Sequence, residues 1–234
     1  MQRLVEGVHH FREVGFSRHK ELFSRLGSGQ NPEACFITCC DSRVDPNLIT
    51  NSEPGQLFIV RNVGNLVPCH GTSNNGELAA VEFAIAELGV QDVIVCGHTG
   101  CGAMKALLGG QGSPTIQRWL IHAEATREII RERYSHLDGD DLLTAAAEEN
   151  VLVQMEHLRT LPVIASRLAQ GRVHLHGWMF KIATGEVFAY DSDLHHFLPM
   201  SPSDAYIEAA GARSNAGRSQ SEKGKRRRKK PAVA

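Results

Sequence analysis

Residues 92–103 read DVIVCGHTGCGA, in which a short apolar run leads through a glycine into a histidine and then a cysteine. Residues 34–43, ACFITCCDSR, show a similar arrangement, since an apolar run leads into cysteines and then into charged residues. A third run, LFIV, occupies residues 57–60. Continuous apolar runs with turn-forming residues after them are typical of strands that are buried on both faces of a parallel sheet.

A helix is predicted between the apolar runs at residues 57–60 and 92–96. Leu78, Val81, Ile85 and Leu88 recur at helical spacing, and Gly89 follows as a stop signal. A strand–helix–strand order of this length implies a parallel crossover. The centre of the sheet is therefore expected to be parallel.

The segments on either side extend this pattern. Residues 1–27 are predicted to form one or two amphipathic helices, an N-terminal helical arm. Residues 116–134 and 141–168 are predicted to be helical, with an interruption at Pro162, and residues 173–190 change to a two-residue period that predicts a closing hairpin or an edge strand. The predicted class is α/β, with a mostly parallel central β-sheet flanked by helices.

Charge divides the chain into a body and a tail. The formal net charge is -1, but residues 211–234 hold nine Lys and Arg against Glu222 alone. This basic tail also has few large apolar residues, so we expect it to be disordered. Residues 1–210 are expected to form a single domain. The tail is expected to be a solvated extension, and the alternative is that it contacts RNA, acidic lipid or an acidic partner such as a scaffold.

Composition and cysteine use indicate a cytoplasmic protein. No apolar stretch approaches the roughly 18 residues of a membrane-spanning helix, so membrane insertion is not expected. Residues 1–16 carry His, Arg and Glu, unlike a signal peptide. Six cysteines in 234 residues are too few for a disulfide scaffold and favour thiol chemistry or metal ligation.

Two strand ends carry residues that bind metals. If the strands are neighbours, Cys39, His98 and Cys101 converge at one edge of the sheet. Two thiolates and one imidazole are a known three-ligand set for zinc, and a catalytic zinc site keeps its fourth position open. The sequence therefore predicts a Zn²⁺ site.

Simpler interpretations of the same residues stay open at this point. The site could be a closed structural zinc site with Asp41 as a permanent fourth ligand, or Cys39 and Cys40 could be a redox pair. A non-catalytic binding module that is stabilised by zinc would also use these ligands. Cys40 is expected to be a small packing residue.

The motifs CCDSRVDP and GHTGCGA together resemble those of the β-class carbonic anhydrases, of the bacterial and cyanobacterial branch. QNPEACFITCCDSRVDPNLIT and LFIVRNVGNLVP extend the resemblance, which covers about four-fifths of the chain, up to about Asp191. The resemblance implies a zinc lyase that interconverts CO2 and bicarbonate. Hydrolysis of carbonyl sulfide or carbon disulfide on the same scaffold is the alternative.

The resemblance also implies roles for individual residues. Cys39, His98 and Cys101 match the metal ligands, and Asp41 with Arg43 matches the catalytic dyad beside the fourth position. Substrate contacts are implied for Gln30, Gly102, Phe58, Val63 and Phe83. Gln30 and some of the aromatic residues are implied to come from a neighbouring subunit, so a homodimer or a dimer of dimers is expected, in the cytoplasm or within a bacterial microcompartment.

Deletion of residues 212–234 should leave the turnover of the enzyme intact, because the tail carries none of the candidate site residues. Only localisation or association with a partner should change. Turnover and sedimentation of the shortened and full chains would check this. A loss of turnover on deletion would show that the tail helps to assemble the site.

Overall fold

The computed structural model describes residues 1–72 and 76–201. Its six strands are β1 (Ala34–Cys39), β2 (Leu57–Asn62), β3 (Asp92–His98), β4 (His174–Lys181), β5 (Glu186–Asp191) and β6 (His196–Pro199). They form one sheet in the order β2-β1-β3-β4-β5-β6. The pairs within β2-β1-β3-β4 are parallel, and the last two pairs are antiparallel. The predicted α/β class with a mostly parallel sheet is confirmed.

Ten α-helices are described: α1 (Gln2–His10), α2 (Phe16–Arg18), α3 (Lys20–Leu26), α4 (Pro46–Thr50), α5 (Gly76–Ala86), α6 (Gly102–Gly109), α7 (Pro114–Leu120), α8 (Glu124–Arg133), α9 (Gly139–Arg159) and α10 (Pro162–Ala169). The predicted helix over 141–168 is two helices, and Pro162 is the first residue of the second. Proline suits that position because the first helical residue needs no N–H partner within the helix.

The central strands are apolar because both of their faces are covered. Every residue of β1 is buried. Cys35 and Ile37 belong to a core cluster with residues of α5, α9 and α10. Phe36, from the opposite face, packs in a second cluster with Phe180 and with Ile49 of α4. An alternating pattern would have left one of these faces without apolar contacts.

Parallel register aligns the carboxyl ends of β1 and β3. Thr38 pairs with Cys96 in the ladder, and the Thr38 hydroxyl donates to the Cys96 carbonyl at 2.9 Å. Cys39 follows the first of these residues directly, and His98 lies two residues after the second. The two candidate ligands therefore leave the sheet at the same edge.

A long helix lies directly on β3 next to this edge. A Cβ on Gly97 would lie 2.8 Å from Val151 Cγ2 and 3.3 Å from the Ala147 carbonyl oxygen of α9. These distances are shorter than van der Waals contact, so only glycine allows this approach. The helix and the strand that carries His98 are thereby held at a fixed separation.

The predicted N-terminal helical arm is present as α1, α2 and α3, with the π-helical turn Phe11–Gly15 between the first two. None of its helical residues is buried within the chain. Leu4, Val8 and Phe11 are large apolar side chains that stay exposed. The arm therefore presents an apolar surface that residues 1–72 and 76–201 leave uncovered.

Two short elements, α4 and β6, were not predicted, and the predicted disorder of the basic tail concerns residues outside the described ranges. The helix α4 has five residues, with the Asp45 side chain accepting from the N–H groups of Asn47 and Leu48, and β6 has four residues. The basic tail, residues 211–234, lies outside the described residues. In the described ranges, no helix combines the length and the hydrophobicity that crossing a membrane would require.

Candidate metal centre

Three buried side chains meet where β1 and β3 end. The ligand atoms of Cys39, His98 and Cys101 all lie within 4.8 Å of one another. Cys39 ends β1, His98 ends β3, and Cys101 is the N-cap residue of α6. The convergence that the sequence predicted from neighbouring strands is therefore present in the structure.

The turn from His98 to Cys101 is shaped by glycine and by hydrogen bonds to β4. Gly100 has φ of +66°, a backbone conformation that other residues seldom adopt. The Thr99 N–H donates to the Phe180 carbonyl at 3.0 Å, and the Thr99 hydroxyl accepts from the Ile182 N–H at 3.1 Å. These contacts fix the position of the histidine ring and of the cysteine that follows it.

The two sulfurs form a strongly coupled acid–base pair. A hydrogen bond from Cys101 lowers the pKa of the Cys39 thiol to about 4. Contact with Cys39, together with burial, raises the pKa of the Cys101 thiol far above its usual range, although the N–H groups of Met104 and Ala103 oppose this shift. The pair therefore keeps one proton, which a divalent cation would displace.

The histidine supplies a third group that fits a metal ligand. His98 Nδ1 lies 3.0 Å from the Thr99 carbonyl oxygen, which fixes this nitrogen as the N–H donor. His98 Nε2 is buried and has no hydrogen-bond partner among the described residues. A buried nitrogen beside two sulfurs, with its lone pair unused, fits a zinc ion as the missing partner.

Asp41 and Arg43 form a tight ion pair beside the cluster. Both carboxylate oxygens of Asp41 accept from the Arg43 side chain, Oδ1 from Nε at 2.9 Å and Oδ2 from Nη2 at 2.8 Å. Hydrogen bonds from Arg43 lower the pKa of the Asp41 carboxyl far below its usual range. Asp41 Oδ2 lies 3.9 Å from His98 Nε2, so an ionised carboxylate faces the cluster.

Arg61 braces the segment between these groups. Its Nε donates to the Cys39 carbonyl at 3.2 Å, and its Nη2 donates to the Asp41 carbonyl at 2.9 Å. Cys40, between the two, is exposed. The expectation that Cys40 is a packing residue is wrong for this chain, because β1 ends at Cys39 and the Cys40 side chain is exposed.

Two of the residues implied to contact substrate lie next to the cluster. Val63 packs against the apolar group that contains Cys39 and Cys101. Gly102 is the first residue of α6, and the space where a Cβ would stand is open. Its N–H is one of the first in the helix, so it needs no partner within the helix.

The other three lie near the opposite edge of the sheet in the same chain. Gln30 precedes the first residue of β1 and is exposed. Phe58 pairs with Cys35, so it lies about 13 Å along the strands from Cys39, at about 3.3 Å per residue. The ring of Phe83 lies 6.1 Å from that of Phe58. Within one chain, these three residues therefore lie away from the cluster.

Sequence reasoning did not identify the Gly64 N–H, which donates to Cys39 Sγ at 3.4 Å. Gly64 has φ of +85° and Asn65 has φ of +49°. The Gly-Asn pair was a signal for a special turn after β2. Sequence alone does not say which atom that turn approaches.

Comparisons with known proteins agree with this geometry. The family model for carbonic anhydrases matches residues 34–187. The chain is 52% identical to a carbonic anhydrase from Synechocystis over 85% of this chain and 74% of that protein. It is 40% identical to a carbonic anhydrase from Pseudomonas aeruginosa over 86% of this chain and 92% of that protein.

Solved structures are also similar. The structure of the β-carbonic anhydrase CcaA superposes with a TM-score of 0.84 at 51% identity, covering 86% of this chain and 99% of that chain. Tetrameric β-carbonic anhydrases from Sordaria macrospora include a chain with a TM-score of 0.74 at 26% identity, covering 80% of this chain and 95% of that chain. The range that the family model matches, residues 34–187, includes Cys39, His98 and Cys101.

Replacing Cys101 by Ser should remove stoichiometric zinc, because the site would lose one of its two thiolates. Cys40→Ser is the matched control: this cysteine is also close to the cluster in sequence, but it is exposed. Elemental analysis of both purified variants would measure the zinc content. Full zinc occupancy in Cys101→Ser would contradict the assignment of this ligand.

Proposed function

This chain belongs to the β-class carbonic anhydrases, zinc enzymes that hydrate CO2 to bicarbonate, and we propose that Cys39, His98 and Cys101 hold its zinc. The observation that most directly supports this proposal is that the three ligand atoms lie within 4.8 Å of one another at one edge of the sheet. The family matches favour CO2 hydration over hydrolysis of carbonyl sulfide or carbon disulfide, and over a non-catalytic binding module.

Zinc, when bound, supplies a Lewis acid that makes water a usable nucleophile near neutral pH. The chain contributes a dry setting for this chemistry, because Cys39, Cys101 and His98 are all nearly inaccessible to solvent. Two thiolates also neutralise the charge of the cation. The neutral substrate then meets no strong net charge at the site.

Asp41 and Arg43 are the proposed catalytic dyad. Arg43 donates to both carboxylate oxygens of Asp41 and also to the Gly100 carbonyl at 3.1 Å. These hydrogen bonds oppose movement of Asp41 into the fourth ligand position. Such a movement would close the site. The carboxylate, which stays ionised, can accept a hydrogen bond from the attacking oxygen and orient its lone pair toward the carbon of CO2.

The substrate slot is proposed to contain Val63 and the Gly102 N–H from one chain. CO2 has no net dipole, so an apolar wall beside one N–H donor suits it better than a charged pocket would. As bicarbonate forms, the oxygen on which negative charge develops can accept a hydrogen bond from the Gly102 N–H. Gln30, Phe58 and Phe83 are proposed to complete the slot from a second copy of the chain.

A homodimer or a dimer of dimers is the proposed assembly. The uncovered apolar residues of the N-terminal arm, among them Leu4 and Val8, support it. So does the separation of Gln30 from Cys39 within one chain. The similar chains from Sordaria macrospora form tetramers.

We further propose that residues 1–210 act as one catalytic domain in the cytoplasm. The support is that all six cysteines are free in the structure, since free thiols are typical of a reducing compartment. The basic tail, residues 211–234, is proposed to contact an acidic partner or scaffold, such as the shell of a microcompartment. The positive charge of the tail supports the proposal of an acidic partner.

Arg43→Ala should lower the turnover number for CO2 hydration by about 100-fold or more, the usual scale for a lost acid–base group. Zinc should stay bound, because Arg43 is not a ligand. Stopped-flow hydration assays with metal analysis would measure both. Arg131→Ala is the control, because Arg131 is exposed and pairs with Glu128 across one helical turn, away from the cluster. Near-normal turnover in Arg43→Ala would refute the role of the dyad.

Co-expression of two inactive variants would test the shared slot. If Gln30 serves the zinc of the other subunit, a mixed dimer of Gln30→Ala and Cys101→Ser chains regains one complete site. Random mixing should then restore about a quarter of wild-type activity, since half of the dimers are mixed and half of their sites are complete. Activity no higher than that of the separate variants would place Gln30 at the zinc of its own chain.

A further inference from the structure

The loop after β2, residues 63–67, touches the metal centre through one peptide group. The Gly64 N–H donates to Cys39 Sγ at 3.4 Å. A Cβ on Gly64 would lie 2.9 Å from Ala103 Cβ in α6. The loop is thus packed closely against both the strand end and the helix that carry the two cysteines.

Side chains from two helices hold the two peptide groups on either side of the Gly64 Cα atom. Trp119 Nε1 donates to the Val63 carbonyl at 2.7 Å. Asn150 Nδ2 donates to the Gly64 carbonyl at 3.0 Å. The backbone is therefore fixed on both sides of the N–H that points at the sulfur.

Asn150 is itself oriented by a buried polar network. Its Oδ1 accepts from Thr126 Oγ1 at 3.3 Å and from Gln154 Nε2 at 3.0 Å. Gln154 Oε1 accepts from the Val67 N–H at 2.7 Å, further along the loop. Asn150 and Gln154 are 1% and 0% exposed. Buried amides with several partners have one favourable orientation, so the network fixes Asn150 against the loop.

The contact from Trp119 has an electronic as well as a steric effect. Donation to the Val63 carbonyl polarises the peptide group, and its N–H on Gly64 becomes a stronger donor. A hydrogen bond to a thiolate reduces the electron density that the sulfur gives to a bound metal. The indole N–H therefore acts on Cys39 through one intervening peptide.

We propose that Trp119 and Asn150 are positioning residues that hold the Gly64 N–H on Cys39 Sγ and thereby tune the charge that this sulfur gives to zinc. The inference rests on the proposed role of Cys39 as a zinc ligand. Both residues act through the backbone of the loop, at adjacent peptide groups. Each removes a different degree of freedom from it, Trp119 at the Val63 carbonyl and Asn150 at the Gly64 carbonyl.

Trp119→Phe is the sharpest test, since it deletes the Nε1–H and keeps an aromatic ring beside His122. In the full chain with zinc replaced by cobalt(II), the thiolate-to-cobalt charge-transfer band should move to longer wavelength, because a less hydrogen-bonded sulfur donates more readily. Turnover of the zinc enzyme should fall about tenfold, the lower end of the usual range for partners of metal ligands.

Trp178→Phe is the matched control. It makes the same chemical change at the only other tryptophan of the chain. Trp178 Nε1 is buried and has no hydrogen-bond partner among the described residues, and the ring packs against Phe36 on the other face of the sheet. The cobalt spectrum and the turnover of this variant should match those of the parent.

A second variant keeps the test independent of a single substitution. Asn150→Ala should shift the band in the same direction, and the double variant should shift it by less than the sum, because both residues support the same contact between the Gly64 N–H and Cys39. If Asn150→Ala does not fold, Trp119→Phe decides alone. A band at the parent position in Trp119→Phe overturns the proposal. The absence of any thiolate band in the parent instead refutes Cys39 and Cys101 as ligands.

Discussion

The parallel pairing of β1 with β3 is the constraint on which the site depends. Its register joins Thr38 to Cys96, so that Cys39 and His98 emerge at the same edge although 58 residues separate them along the chain. A shift of one residue in this pairing would move one ligand by about 3.3 Å along the strands relative to the other, which is more than half of the distance that now spans the cluster. The apolar residues that bury both faces of these strands therefore also specify the metal chemistry.

The ligand groups of the cluster concentrate negative charge that a bound cation would offset. Two sulfurs and a carboxylate, those of Cys39, Cys101 and Asp41, are gathered in a small and largely buried volume. The coupled thiol pair keeps a proton, and Arg43 compensates the carboxylate alone. A divalent cation held by the two thiols and His98 would displace that proton and would be the partner that His98 Nε2 lacks among the described residues. Metal binding and stability of this edge of the sheet are thus thermodynamically linked.

Much of this arrangement was predictable from sequence, because strong local signals coincide with the chemistry. The apolar runs predicted β1, β2 and β3, and their ends predicted the cluster, while the neighbouring dyad was implied by the resemblance of CCDSRVDP to the family motif. The short α4 and β6 were not predicted, since five and four residues carry too little periodicity. The contacts of Gly64 and Asn150 were also missed, although Asn150, Gln154 and His157 recur at helical spacing. Polar residues inside a helix reveal their partners only after the chain has folded.

The close approach at Gly97 has a consequence for the choice of ion. Val151 rests on the strand that carries His98, while its neighbour in sequence, Asn150, grips the loop that contacts Cys39. One helix, α9, therefore helps to fix the distance between Cys39 and His98, which come from separate strands. A cation with a larger ionic radius than zinc, and hence longer bonds to sulfur, would have to displace that helix or accept distorted coordination.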